Sequence, residues 1–357
     1  MLLKRKNWKF LGGGAFRVLA AVLLVSILAF TGCSTTEDED DPPKPPVTWT
    51  AVTGSPFEEL TVYKVAYGNK VYVATGGSSN AWYSSDGVTW AASTDKAALM
   101  PRDPTTDNIS GLGFGGGKFL AVGGSGSNKA RAYTTDGKTW VDSGANDDTN
   151  GGFNAKAVAY GNGIYVIGGS SGRIAYTDKP EDGTSWTILA KEVTKFEGAN
   201  GFINGLTFGG SKFLAAGGAP GDAAYSADGK VWTDIPQIGN IFGSAWINGA
   251  AYGGNKYVIV GEGTGIAAYS SDCVNWTQVT YGENNTLGQE LLGVAYGNGY
   301  FVAVGNAGGA WYSADGVTWI AIEDTTFGSD GINGVVYGDG KFIMVGNKGK
   351  AAYAVVK

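Results

Sequence analysis

The stretch LLGVAYGNGYFVAVGNAGGAWYSADGVTW, residues 291–319, contains two short signatures that recur along the chain. Its end, YSADGVTW, returns as YSSDGVTW at 83–90, YTTDGKTW at 133–140, YSADGKVW at 225–232, YSSDCVNW at 269–276 and, lengthened, YTDKPEDGTSW at 176–186. The tryptophans of this pattern, including one that precedes the first copy, are Trp49, Trp90, Trp140, Trp186, Trp232, Trp276 and Trp319. Most of the chain is therefore one repeated unit.

The second signature, V-A-Y-G-x-x-x-Y/F-V-x-V-G, lies upstream of each of these turns. Its first aromatic residue falls at Tyr67, Phe114, Tyr160, Phe208, Tyr252, Tyr296 and Tyr337. These anchors are 47, 46, 48, 44, 44 and 41 residues apart. A period in the forties with several short strands per repeat is typical of propeller blades. The sequence predicts an all-β fold, a seven-bladed β-propeller.

The last repeat shows how the ring would close. It ends as VVYGDGKFIMVGNKGKAAYAVV, with no Asp-Gly turn and no tryptophan after Tyr353. The missing piece stands at the other end of the pattern, where Val47, Thr48 and Trp49 precede the first blade. We expect an N-terminal strand to complete the last blade, which leaves few exposed strand edges.

The sixth repeat shows how each blade would be built. Residues 292–296 predict strand A, and the apolar run 300–304 predicts a strand B that is buried on both faces. Residues 310–313 predict strand C. Asp315 and Gly316 form a dipeptide that favours a hairpin turn, after which Trp319 opens strand D.

The Ser/Thr-x-Asp-Gly-x-x-Trp turn resembles the Asp-box of the BNR or sialidase-like propellers, although glycine follows the aspartate directly here. In that family the aspartate and serine bond to the turn backbone and the tryptophan packs between blades. Short side-chain acceptors do satisfy turn donors in this way. The resemblance therefore implies a structural role for five aspartates: Asp86, Asp136, Asp228, Asp272 and Asp315. The family includes hydrolases, assembly factors and binding scaffolds, so the fold alone does not give the function.

The first 32 residues predict a secretory signal. Five basic residues precede or flank an apolar run, Val18–Phe30, that is shorter than the roughly 20 residues of a membrane-spanning helix. The small residues before Cys33 resemble a bacterial lipobox, with Phe30 where leucine is usual. The resemblance implies cleavage after residue 32 and lipidation of Cys33. An ordinary cleavage site beside an incidental cysteine is the alternative.

Residues 33–45, CSTTEDEDDPPKP, contain five acidic residues and three prolines. Such a composition favours an extended, disordered tether, so the propeller would span 46–357. The acidic run Glu37–Asp41 resembles the surface-export signal of Bacteroidota-type lipoproteins, and a simple solvated spacer is the alternative. We expect a lipid-anchored outer-membrane protein that is either surface-displayed or periplasm-facing.

Composition excludes several function classes. The net charge is −6, and removal of the basic signal makes the mature chain more acidic, which disfavours nucleic acid and anionic membrane surfaces as partners. The 357 residues include no histidine, which excludes catalytic triads and His-ligated metals. We expect no cofactor and no metal, although calcium held by Asp and Asn oxygens stays open. Sialidase activity is not expected, because the mature chain has only Arg102, Arg131 and Arg173.

Function is expected in the segments that do not repeat. The connections from strand D to the next strand A are long, and loops on a rigid scaffold commonly carry recognition. They pair aromatic with amide and carboxylate side chains, so the ligand-binding candidates are Phe153, Phe202, Phe242, Trp246, Asp147 and Asn284, with Phe196 and Tyr281 as further aromatics. The alternative is that these aromatic side chains pack under their own loops.

Three functions follow. The first is a monomeric, non-enzymatic lipoprotein whose propeller face binds a protein or glycan. The second is a carbohydrate-active propeller that uses the loop carboxylates Asp103, Asp147, Asp148 and Glu283, since glycoside hydrolysis needs a carboxyl pair. The third is a periplasmic scaffold for envelope assembly.

Overall fold

A computed structural model describes residues 48–94, 96–99, 108–125, 128–144, 153–190, 194, 196, 201–218, 221–281 and 287–356. Within these ranges the chain forms seven four-stranded antiparallel sheets. Strand A of each sheet lies against strand A of both neighbouring sheets, and the seventh sheet contacts the first. The predicted seven-bladed β-propeller is confirmed.

The strands follow one order, A to D, in every blade. Blade 1 has β2 Val62–Gly68, β3 Val71–Gly76, β4 Ala81–Ser84 and β5 Ala91–Ala92; blade 2 has β6 Ile109–Gly115, β7 Lys118–Ser125, β8 Asn128–Thr134 and β9 Val141–Asp142; blade 3 has β10 Ala155–Gly161, β11 Ile164–Gly169, β12 Ile174–Thr177 and β13 Thr187–Ile188; blade 4 has β14 Ile203–Gly209, β15 Lys212–Gly217, β16 Asp222–Ser226 and β17 Thr233–Asp234. Blade 5 has β18 Ile247–Gly253, β19 Lys256–Gly261, β20 Ala267–Ser270 and β21 Thr277–Gln278; blade 6 has β22 Leu291–Gly297, β23 Tyr300–Gly305, β24 Ala310–Ser313 and β25 Ile320–Ala321; blade 7 has β26 Ile332–Gly338, β27 Lys341–Gly346 and β28 Ala351–Val355. Two short helices, α1 Lys96–Leu99 and α2 Gln237–Phe242, follow the outer strands of blades 1 and 4.

The ring closes through the first strand of the propeller. Strand β1, Thr50–Ala51, pairs antiparallel with β28, so that it becomes the outer strand of blade 7. The Trp49 side chain is only 6% exposed and lies in a core cluster with residues of blades 6 and 7. The Tyr72 hydroxyl of blade 1 donates to the Gly338 carbonyl of blade 7. The predicted closure is therefore confirmed.

The aromatic anchors join neighbouring blades. The ring of Phe114 lies so close to Gly68 of blade 1 that a β-carbon there would be 2.2 Å from it. The same contact is made from blade to blade around the whole ring, and Tyr67 completes it by covering Gly338 of blade 7. Glycine is required at these strand ends because a ring of the next blade occupies the space of a side chain.

The Asp-Gly turns are held by a fixed set of hydrogen bonds. In blade 1, Asp86 Oδ1 accepts from the backbone N–H groups of Val88 (2.8 Å) and Thr89 (2.7 Å), and Ser84 Oγ accepts from that of Gly87 (2.8 Å). The equivalent bonds form at the other four turn aspartates: Asp136, Asp228, Asp272 and Asp315. These side chains thus bond to their own hairpins.

Ionisation of the turn aspartates follows from these bonds. Burial opposes the charge of Asp86, but the N–H donors and the Ser84 hydroxyl outweigh it and lower its pKa to about 2. At Asp272 the N–H groups of Asn275 and Val274 lower the pKa most. Hydrogen bonds to a carboxylate stabilise its charged form, so each turn depends on an ionised aspartate.

Cys273 takes the place of the turn glycine in blade 5 and has a positive φ of 69°. Its side chain is fully buried in the core cluster between blades 4 and 5. Burial raises the pKa of its thiol to about 12. A buried, protonated thiol is unreactive, so Cys273 serves packing.

The propeller has two faces that differ in the connections they contain. One, the hairpin face, consists of the A-to-B and C-to-D turns, which include the Asp-Gly turns. The other, the mouth face, consists of the D-to-A and B-to-C connections, because the first residue of each strand A pairs with the last residue of strand B. The central channel, lined by the seven A strands, opens on the mouth face.

Candidate functional site

The central channel is lined by strand A of all seven blades, and the second residue of each strand surrounds its mouth. In chain order these residues are Tyr63, Ser110, Lys156, Asn204, Asn248, Leu292 and Asn333, and all seven line one cavity of about 480 Å³. This volume lies within the range of small-ligand pockets. A deeper, narrower cavity of about 150 Å³ continues along the channel.

Four of the seven ring residues connect neighbouring blades. The Nδ2 atoms of Asn204, Asn248 and Asn333 donate to the carbonyls of Ile247 (3.2 Å), Leu291 (3.0 Å) and Val62 (3.0 Å), in each case at the first strand-A residue of the next blade. The hydroxyl of Ser110 makes the equivalent, longer bond to Ala155 (3.5 Å). Polar residues at this ring position therefore have a structural role, which Tyr63, Lys156 and Leu292 do not share.

Lys64 occupies the third position of strand A, where five blades have glycine and blade 3 has Ala157. The A strands approach closely at this level. A β-carbon at Gly249 would be 3.1 Å from the Gly293 Cα, and one at Gly111 would be 2.7 Å from the Lys156 carbonyl oxygen. Lys64 is thus the only long side chain at a level where the other blades have glycine or alanine. It lines both cavities.

Lys64 and Lys156 line the same part of the channel, and both are half-buried. Burial lowers the pKa of Lys64, and the nearby charge of Lys156 lowers it further. Burial likewise lowers the pKa of Lys156. Desolvation and like-charge repulsion both disfavour the ammonium form, so two cations are held together at an electrostatic cost.

An aromatic pair flanks this basic site. The rings of Phe202 and Trp246, each directly before the strand A of its blade, lie 5.6 Å apart at an angle of 30°. The Lys156 Nζ lies 4.0 Å from the centre of the Phe202 ring, a cation–π contact. Trp246 also lines the mouth cavity. The structure thus brings two of the predicted ligand-binding aromatics together beside a lysine.

One carboxylate lines the mouth cavity among the described residues. It belongs to Glu262, on the B-to-C connection of blade 5, and its Oε2 accepts from the backbone N–H of Trp246 (3.4 Å). Glu290 lies nearby. Burial raises the pKa of Glu290, the charge of Glu262 raises it further, and a hydrogen bond from Asn306 Nδ2 (2.6 Å) opposes both.

The other aromatic candidates lie away from the mouth cavity. Phe242, on α2, is 3% exposed and packs in the core cluster of blades 4 and 5, and Phe196 is fully buried. For these two side chains the structure agrees with the alternative, because both pack in core clusters. Phe153 and Tyr281 are half-buried and pack against core clusters. Asp147 and Asn284 lie outside the described residues.

Of the residues considered for catalysis, Arg131 and Arg173 are described, and neither lines the channel cavities. Arg131 contacts the Trp186 ring at 4.9 Å and donates to the Gly144 carbonyl (3.3 Å). The loop carboxylates Asp103, Asp147, Asp148 and Glu283, together with Arg102, fall outside the described ranges.

The described part of the chain lacks two features, a metal-binding cluster and a membrane-spanning helix. Its residues include no group of three or more His, Cys, Asp or Glu side chains that could hold a metal ion. A helix long and apolar enough to span a membrane does not occur there either.

Sequence reasoning missed Lys64 and Lys156, although the signal was present. Aligned on their anchors, the A strands read VYKVAYG at 62–68, AKAVAYG at 155–161 and INGVVYG at 332–338. Only the first has a long side chain where glycine is usual, and only the second has a lysine at the ring position. Departures from the repeat inside the strands, as well as the loops between them, indicate the site.

No protein-family model and no curated protein matches this sequence. Solved structures do match its fold. A structure described as YCF48 bound to D1 peptide is 17% identical, with a TM-score of 0.64 over 88% of this chain and 98% of its own. YCF48 from Cyanidioschyzon merolae is 16% identical, with a TM-score of 0.62 over 86% and 98%. The WD40 β-propeller domain of Doa1 is 12% identical, with a TM-score of 0.57 over 87% and 98%. At such identities the similarity concerns the fold alone.

Proposed function

We propose that this chain is a non-enzymatic binding scaffold of the bacterial envelope whose mouth face binds a protein partner. The observation that carries the proposal is the Phe202–Trp246 pair, two half-buried rings at 5.6 Å beside an open cavity of about 480 Å³. Aromatic side chains next to a pocket are common anchors of protein interfaces. The YCF48 structure with a bound D1 peptide is a precedent for peptide binding by this fold, and it does not identify the partner of this chain.

A protein partner is favoured over a glycan by the state of the Phe202 ring. Lys156 and Trp246 both contact this ring, which leaves less of its surface open for stacking with a sugar. An extended peptide needs only one side chain to enter the cavity. The carbohydrate-active alternative requires a pair of carboxyl groups, whereas Glu262 is the only carboxylate of the described residues on the cavity wall.

Site-specific crosslinking tests the binding face. A photoreactive amino acid replaces Trp246 on the mouth face or Val231 on the hairpin face, in the full chain and in its own cells. Val231 is 68% exposed in an Asp-Gly turn, so it is a matched control. We expect a protein adduct from position 246 that a Phe202→Ala substitution weakens, and none from 231. Adducts only from position 231 would contradict the proposal.

The lipid anchor is part of the proposal. Its support is the sequence TGC at 31–33, which follows a basic and apolar leader. Cys33→Ser should move the protein from the detergent phase to the aqueous phase on phase partition, with Cys273→Ser as the control. More than one acyl chain is needed for stable anchoring. Equal partition of Cys33→Ser and the parent protein would refute lipidation.

The side of the outer membrane is a separate question, and the acidic run 37–41 favours the cell surface. Protease added to intact cells should then degrade the propeller while a periplasmic marker protein stays whole. Degradation only after the outer membrane is permeabilised would instead support the periplasmic assembly scaffold.

A further inference from the structure

Two lysines enter the channel at positions where the repeat has other residues for structural reasons. At the level of Lys64 the neighbouring A strands approach so closely that five blades use glycine. At the level of Lys156, three blades use an asparagine that bonds to the next blade. Lys156 forms no such bond, and Lys64 has a long charged side chain where none is needed for the ring. Packing between blades therefore does not explain Lys64, and Lys156 has a cation–π contact with Phe202 of blade 4 in place of the asparagine bond.

The charges of the two lysines are not neutralised by an ion pair within the described part of the protein, although Glu262 lines the same mouth cavity. Neither ammonium forms an ion pair there, and the described ion pairs all involve other lysines: Lys118–Glu181, Lys348–Asp330 and Lys350–Asp330. The two groups are close enough for the charge of Lys156 to act on Lys64. The protein as a whole has a net charge of −6, so this is a positive site inside an acidic chain. Low-dielectric walls concentrate such a local potential.

The wall of the mouth cavity beside the lysines is largely apolar. The deeper cavity of about 150 Å³ is more polar, because backbone groups of the A strands line it together with side chains such as Leu112, Leu206 and Val335. The mouth above has the Phe202–Trp246 pair and Glu262. The site thus offers two cations below a largely apolar mouth, and one negative charge at its entrance.

We propose that Lys64 and Lys156 form a binding site for a carboxylate group, which enters the channel mouth on an apolar stem. The site rests on the proposed function, because it names the group of the protein partner that the mouth face binds. A carboxylate between the two ammonium groups would offset their repulsion and form charge-assisted hydrogen bonds. Two sources provide this chemistry: an acidic side chain, or the C-terminus of a partner chain.

A carboxylate fits the site better than a phosphate does. A phosphate group is hydrated on several oxygens, and the largely apolar mouth offers few hydrogen bonds in place of that water. Glu262 at the entrance also repels a dianion more than a monoanion. A hydrocarbon stem with one terminal charge matches both parts of the cavity.

The test is an NMR titration of the lysine side chains in the full chain in detergent, with ¹³C at the ε position. The probes are acetate, its neutral isostere acetamide, inorganic phosphate, and two short peptides at one ionic strength. One peptide is amidated with an internal glutamate, and the other has a free C-terminus and no acidic side chain. Single lysine substitutions assign the signals. Lys70, exposed with a positive φ of 62° on the A-to-B turn of blade 1, is the reference.

The variants Lys64→Gly and Lys156→Asn restore the residues of the other blades, so both should fold. We expect acetate to shift the Lys64 and Lys156 signals saturably, while acetamide has no effect and Lys70 stays in place. The double variant should bind the better peptide at least about tenfold more weakly, since the loss of buried charge contacts commonly costs that much. Lys70→Gly should bind it as the parent does.

Several results would overturn the site. They are equal shifts with acetate and acetamide, larger shifts with phosphate than with acetate, shifts of Lys70 equal to those of the channel lysines, or an unchanged peptide affinity of the double variant. The two peptides identify the source of the carboxylate, and either one binding supports the site. Crosslinking from position 246 is read separately, so an adduct that persists in the double variant would reject the carboxylate site and leave the scaffold proposal intact.

Discussion

The hairpin face and the mouth face are built from the same seven repeats, yet they treat the repeat in opposite ways. On the hairpin face, five aspartates accept the same backbone hydrogen bonds in five blades. At the channel mouth, the ring position holds tyrosine, serine, lysine, leucine and three asparagines. A repeat is kept where each blade needs the same contact, and it varies where only one copy of a contact is required.

Energetics separates the two faces in the same way. The turn aspartates have lowered pKa values because donors surround their charge, so they stabilise the fold when ionised. The channel lysines also have lowered pKa values, but for them the shift means that the charged form is disfavoured. One face is optimised for stability, and the other retains a destabilising feature of the kind common at functional sites.

The largest effect should come from the ring closure, on which both faces depend. Trp49→Ala removes a large buried side chain that packs on blades 6 and 7. We expect the free energy of unfolding to fall by about 3–5 kcal/mol, measured by urea denaturation. Val141→Ala, on the outer strand of blade 2 and 46% exposed, is the control and should change little. A stable Trp49→Ala protein would show that the ring does not need this fastening.

Much of the fold could be predicted because propeller blades depend on local, repeated signals. The Asp-Gly dipeptides specify hairpins, and the spacing of the anchors gives the number of blades. The missing turn in the last repeat also predicted the β1–β28 pairing. Each of these features is present in the sequence as a residue type at a fixed position.

The site could be predicted only in part, since burial of loop side chains depends on contacts between distant segments. Phe202 and Phe242 both belong to D-to-A connections and look alike in sequence. Phe202 pairs with Trp246 beside the mouth cavity, whereas Phe242, the last residue of α2, is buried in the core cluster of blades 4 and 5. Lys64 is a clearer sign of the site in the sequence than these aromatic residues are, because it stands where five other blades have glycine. Its meaning depends on knowing that seven A strands meet around one channel.

A single turn of the hairpin face should give the next largest effect. Asp228→Ala leaves the backbone N–H groups of Lys230 and Val231 without their acceptor. The free energy of unfolding should fall by about 1–3 kcal/mol, while crosslinking from position 246 in the folded protein is unchanged. Asp234→Ala, exposed on β17 of the same blade, is the matched control. Loss of the partner with unchanged stability would place binding on the hairpin face.

Acid should weaken the hairpin face through the same aspartates. The pKa of Asp86 is lowered from 3.8 to about 2 in the folded chain, and those of Asp136, Asp228 and Asp315 are lowered too. A lowered folded-state pKa stabilises the fold above the unfolded-state value, and this contribution is lost as pH falls through the folded one. Urea midpoints should therefore decline between about pH 4 and pH 2. The decline should be smaller in Asp86→Asn, which is less stable at neutral pH, and an equal decline would contradict this role.

The smallest expected effect is an increase in stability, and it comes from replacing Lys64. Lys64→Met keeps a long side chain in the channel and removes its charge, which relieves the repulsion from Lys156. We expect the free energy of unfolding at neutral pH to rise by about 0.5–2 kcal/mol, as is common when a functional residue is replaced. The gain should shrink as pH rises and Lys64 loses its proton, because a lowered lysine pKa destabilises the fold only while the group is charged. Lys70→Met, at an exposed position, is the control for the loss of one lysine charge. A Lys64→Met protein that is less stable than its parent would show that this lysine supports the ring, and the contrast between the two faces would then fail at its most informative residue.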